Sequence, residues 1–199
     1  MTGFLSGFVL GLSLILAIGA QNAFILKQGL KQQHVFILCL ICAISDAVLI
    51  IIGVFGFSLA INILPEVESF ARYAGAIFLL VYGARSFYFA FNSNDALKES
   101  EVSKTSLAPA VLACLAFTWL NPHVYLDTLF LLGSVSTQYL DEQYQFALGA
   151  TIASFVFFFS LGYGAHLLAP IFNKPMAWKV LEFVIGCIMW LIAISLVIV

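Results

Sequence analysis

The sequence predicts an all-α integral membrane protein of six transmembrane helices, arranged as two inverted three-helix repeats with helices 1 and 4 interrupted. Three observations predict it. Hydrophobic residues fill 63% of the 199 positions and charged residues only 9%, against about 25% charged in an average soluble domain. No globular core of this size can hide so much apolar surface, so the excess faces lipid. The apolar stretches recur at about the 20-residue length that a hydrocarbon core roughly 30 Å thick demands. Finally, the second half of the chain repeats features of the first in order. We read residues 1–199 as one transmembrane domain, with repeat one at about 1–98 and repeat two at about 106–199.

The spans fall at roughly 3–26, 35–63, 69–91, 107–133, 144–169 and 178–198. Residues 1–26 carry no charged side chain; with no basic segment ahead of the apolar run, this stretch reads as a helix rather than a leader. A short basic loop is expected at 27–34. The second span holds one acid, Asp46, at its centre, and 62–68 with Pro65 reads as the next loop. Residues 92–106 form the one long polar connector. Loops at 138–143, with Asp141 and Glu142, and at 170–175, with Lys174, bound the fifth span. Seven of the eight Lys and Arg residues (Lys27, Lys31, Arg85, Lys98, Lys104, Lys174 and Lys179) fall at the first, third and fifth loops, leaving Arg72 alone on the other side. Cytoplasmic loops hold such an excess, so both termini are expected on the extracytoplasmic side.

The repeat is visible in the second and fifth spans, where Ile44-Ser45-Asp46-Ala47-Val48 with Phe55-Gly56 matches Ile152-Ala153-Ser154-Phe155-Val156 with Tyr163-Gly164 at a constant offset of 108. In the third and sixth spans, the string from Gly75 to Leu80 matches that from Gly186 to Leu191. Three spans per unit turn the second unit upside down relative to the first, a transporter signature that places the site near the midplane. On this pairing Ser154 is the neutral counterpart of Asp46.

The opening span of each half is interrupted, the first at Gly19-Ala20-Gln21-Asn22 and the fourth at Asn121-Pro122-His123. Pro122 has no N–H, so the carbonyl of Thr118 is expected to lose its helical partner, and Asn121, preceding proline, is pushed out of the helical region. Gly19 weakens the first span more mildly. Irregular backbone at membrane depth survives only where it is buried in protein or lines a wet cavity. The Gln21, Asn22 and Asn121 amides with the freed carbonyls suit an ammonium group, and a half-helix N-terminus suits a carboxylate. The plainer alternative is that Pro122 only kinks a helix and the amides bond between helices.

A carboxylate at mid-membrane costs about 2.5–3.5 kcal/mol on insertion scales, so Asp46 is functional by default; its alternative role is a structural bond to a hydroxyl or amide. Asp127 lies four residues past His123, on the same helical face, and looks into the same cavity unless it sits solvated near the interface. His123 is a candidate proton relay or a plain hydrogen-bonding histidine. The cysteines Cys39, Cys42, Cys114 and Cys187 all lie in apolar spans and read as small buried hydrophobes. No cofactor and no resident metal is expected, and no basic patch suggests nucleic acid. The apolar faces suit lipid or a second copy of the chain alike.

These residues resemble the bacterial lysine/arginine exporter (LysE/ArgO-type) family. The carrying strings are Ile18-Gly19-Ala20-Gln21-Asn22-Ala23-Phe24 with Gln28-Gly29, then Ser45-Asp46 with Gly53, then Leu120-Asn121-Pro122-His123-Val124-Tyr125-Leu126-Asp127-Thr128 with Leu132-Gly133-Ser134. Looser relatives that export neutral amino acids tend to carry Pro-Gly-Pro where this chain has Gly19-Ala20-Gln21, which favours the basic amino-acid branch. The resemblance implies export of L-arginine or L-lysine across the bacterial inner membrane, driven by the membrane potential or the proton gradient. The scheme that fits both lines has Asp46 taking the substrate's cation or a proton. Asp127 is then a second cation or proton site, His123 shares the proton coupling, and Gln21, Asn22 and Asn121 bind the α-amino and α-carboxylate groups. Gly19, Gly53 and Gly56 allow close helix approach. Its rivals are a divalent metal exporter using Asp46, His123 and Asp127, a transmembrane thiol conduit using the cysteines, and an intramembrane enzyme, for which the chain offers only His123 and Asp127 as a pair.

Overall fold

The computed structural model describes residues 2–16, 19–92, 106–168, 170–173 and 175–198, with backbone alone at 58–66, 68 and 173. The connector at 93–105 with Lys98 and Lys104, as well as Ile18 and Lys174, lies outside them. The described residues are helical and contain no strand. We number the helices α1 (Thr2–Ile15), α2 (Ala20–Leu30), α3 (Val35–Phe57), α4 (Ser69–Phe91), α5 (Leu107–Trp119), α6 (Pro122–Tyr125), α7 (Gly133–Ser136), α8 (Gln143–Gly164) and α9 (Pro175–Ile198). A π-helical stretch, Leu126–Leu132, joins α6 to α7. Val35–Phe57, Ser69–Phe91, Pro122–Leu168 and Pro175–Ile198 are long and apolar enough to cross a bilayer, and the bent pair α1–α2 makes a fifth candidate. This is a multi-pass all-α membrane protein.

Several expected boundaries move. The first span is two helices whose axes differ by 82°, a far sharper break than one glycine in a helix produces; Gly19 is fully extended (φ −120°, ψ 171°) and caps α2. The expected loop at 27–34 begins later, because α2 runs on to Leu30 and buries Lys27, Gln28, Gly29 and Leu30. The expected loop at 62–68 is helical, and the non-helical residue is Gly56 (φ −114°, ψ 17°). The chain nevertheless reverses there. Leu49 and Ala71 share one buried cluster with Tyr125, whereas a straight helix would hold them about 33 Å apart.

Contacts fix the direction of each segment. Gly3, Gly7 and Gly11 meet Glu142, Phe146 and Ala150 in step, so α1 and α8 run parallel. A Cβ on Gly7 would overlap the Phe146 carbonyl oxygen; small residues four apart let the two backbones touch. Along α3 and α8 the pairs run in opposite order, Phe36 with Phe159, Asp46 with Ser154 and Phe55 with Tyr144. α4 and α9 are also antiparallel, with Trp190 Nε1 donating to the Leu80 carbonyl at 3.2 Å and Phe87 and Phe91 packing on Phe183. α3 runs parallel to the α5–α7 segment, as Cys42 meets Cys114, Ser45 meets Trp119 and Phe57 meets Phe130.

The α1–α8 seam gives a direct test. Gly7→Leu is expected to destabilise the protein by about 1–3 kcal/mol or more, as overpacking does, and to lower its melting temperature in detergent. Gly164→Ala, where no atom of the described residues lies within 4 Å of the added methyl, should leave melting unchanged.

Candidate functional site

The two interruptions end on one cavity of about 350 Å³, near the lower end of the volumes that hold small ligands. At the first break, the Asn22 side chain folds back and its Nδ2 donates to the Ile15 carbonyl at 2.9 Å, closing the end of α1. Gly19, Ala20, Gln21 and Asn22, the opening residues of α2, line the cavity. Gly19, the N-cap of α2, has no side chain to cap it, and the positive end of the helix faces the space.

At the second break, Asn121 is extended (φ −95°, ψ 108°), as a residue before proline is expected to be, and Pro122 opens α6. The Asn121 Oδ1 accepts from the His123 N–H at 3.1 Å. The Thr118 carbonyl, expected to be orphaned, is met by the Asn121 N–H at 3.4 Å; the orphan is one residue on. Because His123 N–H turns to the asparagine, the Trp119 carbonyl takes the Tyr125 hydroxyl instead, at 2.6 Å. Two glycines hold the break against its neighbours. A Cβ on Gly75 would overlap the Leu120 carbonyl oxygen, and one on Gly53 the Thr128 carbonyl oxygen. Among the described residues, a Cβ on Gly56, expected to serve close approach, would meet only an Ile52 methyl at 3.9 Å; the glycine stands at the kink in the helix instead.

Asp46 reaches the cavity from α3. It is 4% exposed, and its Oδ2 accepts from the Ser154 hydroxyl at 2.8 Å. The acid is thus bonded to the residue that stands opposite it in the 108-residue repeat. Asp46 has a hydroxyl partner and also faces the cavity. His123 and Asp127 line the same cavity, Asp127 carried by the π-helical stretch and partly buried. Among the described residues, the Gln21 Nε2 is buried without a hydrogen-bond partner. Of the sequence-predicted residues, Gly19, Gln21, Asn22, Asp46, Asn121, His123 and Asp127 share the cavity; Pro122 is buried beside it and shapes the break.

Sequence reasoning missed the aromatic wall. Phe24, Phe78, Tyr82 and Phe117 pack with ring centroids 4.8–6.3 Å apart. Phe78 and Phe117 face the cavity, while Phe24 and Tyr82 face a second, smaller pocket of about 60 Å³ lined also by Lys27, Gln28, Lys31, Arg85 and Ser86. With 20 phenylalanines in the chain, nothing in the sequence distinguishes these. It also missed an ion pair. Lys27, expected in a loop, is buried and bonds Glu182 of α9 at 2.5 Å. The available signal was an acid inside the last apolar run.

Cys39, Cys42 and Cys114 are fully buried, but Cys187 is partly exposed and so departs from the expected burial. Cys39 and Cys42 do not act as a pair. Cys39 donates to the Phe158 carbonyl, whereas Cys42 Sγ lies 3.3 Å from Cys114 Sγ. Among the described residues, no three His, Cys, Asp or Glu side chains converge as a metal site would require.

Comparison with known proteins places the chain. Residues 12–199 match the LysE type translocator family. The arginine exporter protein ArgO of Pectobacterium atrosepticum is 42% identical over 194 residues, covering 97% of this chain and 95% of that protein. The arginine exporter protein ArgO of Escherichia coli is likewise 42% identical, covering 97% of this chain and 92% of that protein. No solved structure matches. The chain belongs to the LysE type translocator family, and it is a transporter rather than an enzyme.

Proposed function

We propose that the protein exports cationic L-amino acids, arginine foremost and lysine with it, from the bacterial cytoplasm through the cavity at Asp46, in exchange for protons. The observation that carries this reading is the convergence of both helix breaks on one cavity that holds a buried acid. The similarity to arginine exporters supports the substrate. The Asp46 carboxylate suits a guanidinium as a fork and an ammonium as a point charge. The start of α2, the Gln21 Nε2 and the Asn121 Nδ2 are donors that suit the α-carboxylate, and the backbone carbonyls at the breaks suit the α-amino group. Asp127, with His123 on the same wall, is the second cation or proton site.

Alternating access needs two equivalent halves. We read α5 with α6 and α7 as one broken crossing, which gives six crossings and pairs the break at Gly19 with that at Asn121. An axis in the membrane plane is supported by where the antiparallel pairs meet. α3 and α8 meet at Asp46 and Ser154, which the repeat makes equivalent. α4 and α9 meet at Leu80 and Trp190, one residue from the equivalent pair of Leu80 and Leu191. The halves would rock about this line.

Moving one positive charge out against 100 mV costs about 2.3 kcal/mol, and one proton entering cancels it. Asp46 serves such exchange because cation and proton neutralise the same carboxylate. The metal-export reading finds no cluster of three ligands among the described residues.

Asp46→Asn should insert and fold but lose arginine counterflow in proteoliposomes by at least 100-fold; exchange of labelled arginine or lysine at the unmodified rate would sink the scheme. A panel of arginine, lysine, threonine and a divalent metal reads the substrate class in the same vesicles. For topology, we place the ends of α2, α4 and α5 that bear Lys31, Arg85 and Pro109 toward the cytoplasm. An alkaline phosphatase joined after Val199 is then active, and a green fluorescent protein at the same point stays dark; the reverse pattern inverts the orientation.

A further inference from the structure

The Lys27–Glu182 pair lies on the far side of the aromatic wall from the central cavity. Lys27 is 6% and Glu182 2% exposed, and the lysine ammonium sits 6.0 Å from the Tyr82 ring centre, against the wall itself. Glu182 is the only acid in α9, and its charge is buried, so it must keep a cation beside it. Lys27 satisfies only part of what surrounds it. Among the described residues, Glu182 Oε2 is buried with no hydrogen-bond partner, and so is Gln28 Oε1, which lines the small pocket next to Lys27. Both unfilled groups are acceptors. Here the Lys27 ammonium meets one carboxylate oxygen; a guanidinium carries five N–H groups in a planar fork that matches both.

We propose that Glu182 is a second cation-binding residue on the substrate's path, on the lysine-rich side of the aromatic wall, and that Lys27 is its resident cation, displaced by the side-chain cation of the substrate. This rests on the central-cavity reading above. The pocket of about 60 Å³ beside the pair holds a charged head group but not a whole amino acid. The exchange therefore belongs to the state in which Phe24, Phe78, Tyr82 and Phe117 part. While the wall is closed, Lys27 keeps the acid neutralised and ties α2 to α9. When it opens, an arriving guanidinium takes over the carboxylate, and the lysine swings into the small pocket. A neutral amino acid has nothing to offer Glu182 and leaves the tie in place, so the residue selects for charge before the central cavity is reached.

The test uses the full chain in oriented proteoliposomes, with arginine presented at the lysine-rich face and citrulline, its neutral isostere, as competitor. Glu182→Gln alone leaves a buried lysine unpaired, so the deciding variant is Lys27→Gln with Glu182→Gln, which buries no charge. The proposal expects it to fold, with the apparent KM for arginine raised at least tenfold and the preference for arginine over citrulline reduced by a similar factor. A purely structural pair expects unmodified KM and preference in the double variant, and that result overturns the proposal. Lys27→Gln alone gives a second reading: arginine, but not citrulline, should raise its melting temperature more than it raises that of the unmodified protein. Equal shifts overturn the proposal as well. Asp46→Asn run alongside separates the two readings. Loss of exchange there with an unaffected double variant removes Glu182 from the path and leaves the central cavity standing; exchange at the unmodified rate in Asp46→Asn removes both.

Discussion

Hydrocarbon offers no hydrogen bonds to the backbone, and the polar centre of this protein follows from that constraint. An α-helix satisfies its own amides and carbonyls, so a break at membrane depth exposes groups that only protein can meet. Here each break is closed by a side chain from its own neighbourhood: the Asn22 amide on the Ile15 carbonyl, the Tyr125 hydroxyl on the Trp119 carbonyl, and the Asn121 oxygen on the His123 amide. Polar residues thus stand at the breaks first because the backbone demands them. An amide has two ends, and one end of Asn22 and of Asn121 is committed to the main chain. What Asn121 offers a guest is its Nδ2 end, in a position the backbone has already fixed.

Rigidity around the breaks comes from helix backbones in direct contact. Gly53 abuts the Thr128 carbonyl, Gly133 the Gly53 carbonyl, and Gly75 the Leu120 carbonyl, so closely that a Cβ on any of the three would overlap the oxygen it faces. The broken fourth segment is therefore held between α3 and α4 by main-chain surfaces that have no rotamers to exchange. Aromatic packing takes the opposite role. The wall of Phe24, Phe78, Tyr82 and Phe117 draws on α2, α4 and α5 and meets mostly edge to face, an arrangement whose members can turn without losing a carbonyl contact. Fixed glycine seams beside a deformable ring cluster suit a device in which one side of a cavity opens.

Much of this was legible in the sequence. Composition gave the membrane class because burial cannot absorb so much apolar surface. Proline chemistry gave the extended Asn121, and the solitary charge of Asp46 marked the cavity. The 108-residue offset joined Asp46 to Ser154, which the structure holds at hydrogen-bond distance. Other features depended on tertiary packing. Lys27 follows directly on an apolar run and looks like a loop residue in one dimension; only α9 crossing α2 supplies the acid that keeps it inside. The sharp angle after α1 exceeds what Gly19 implies, since the asparagine that closes the helix end lies seven residues beyond the carbonyl it caps. The bend at Gly56 rather than at Pro65 also escaped, because proline is the stronger breaker in sequence and says nothing of where packed helices must turn. The π-helical turn that carries Asp127 leaves no mark in residue spacing.

The asymmetry of the central pair bears on how the proposed exchange is limited. A second acid at position 154 would put two carboxylates within about 3 Å, where like charges cannot both ionise. The site would then hold one proton even with a guest bound, and cation and proton would no longer exclude each other. Serine gives the carboxylate a neutral donor at 2.8 Å and leaves it a single negative charge. One charge in a cavity that crosses between faces needs one positive partner, a protonated state or a bound cation, because moving it bare through hydrocarbon carries the full cost of a buried ion. On this reading, the pairing of Asp46 with a hydroxyl rather than with another acid is what ties one guest to one proton, and it follows from the difference in charge between positions 46 and 154, which the 108-residue offset pairs.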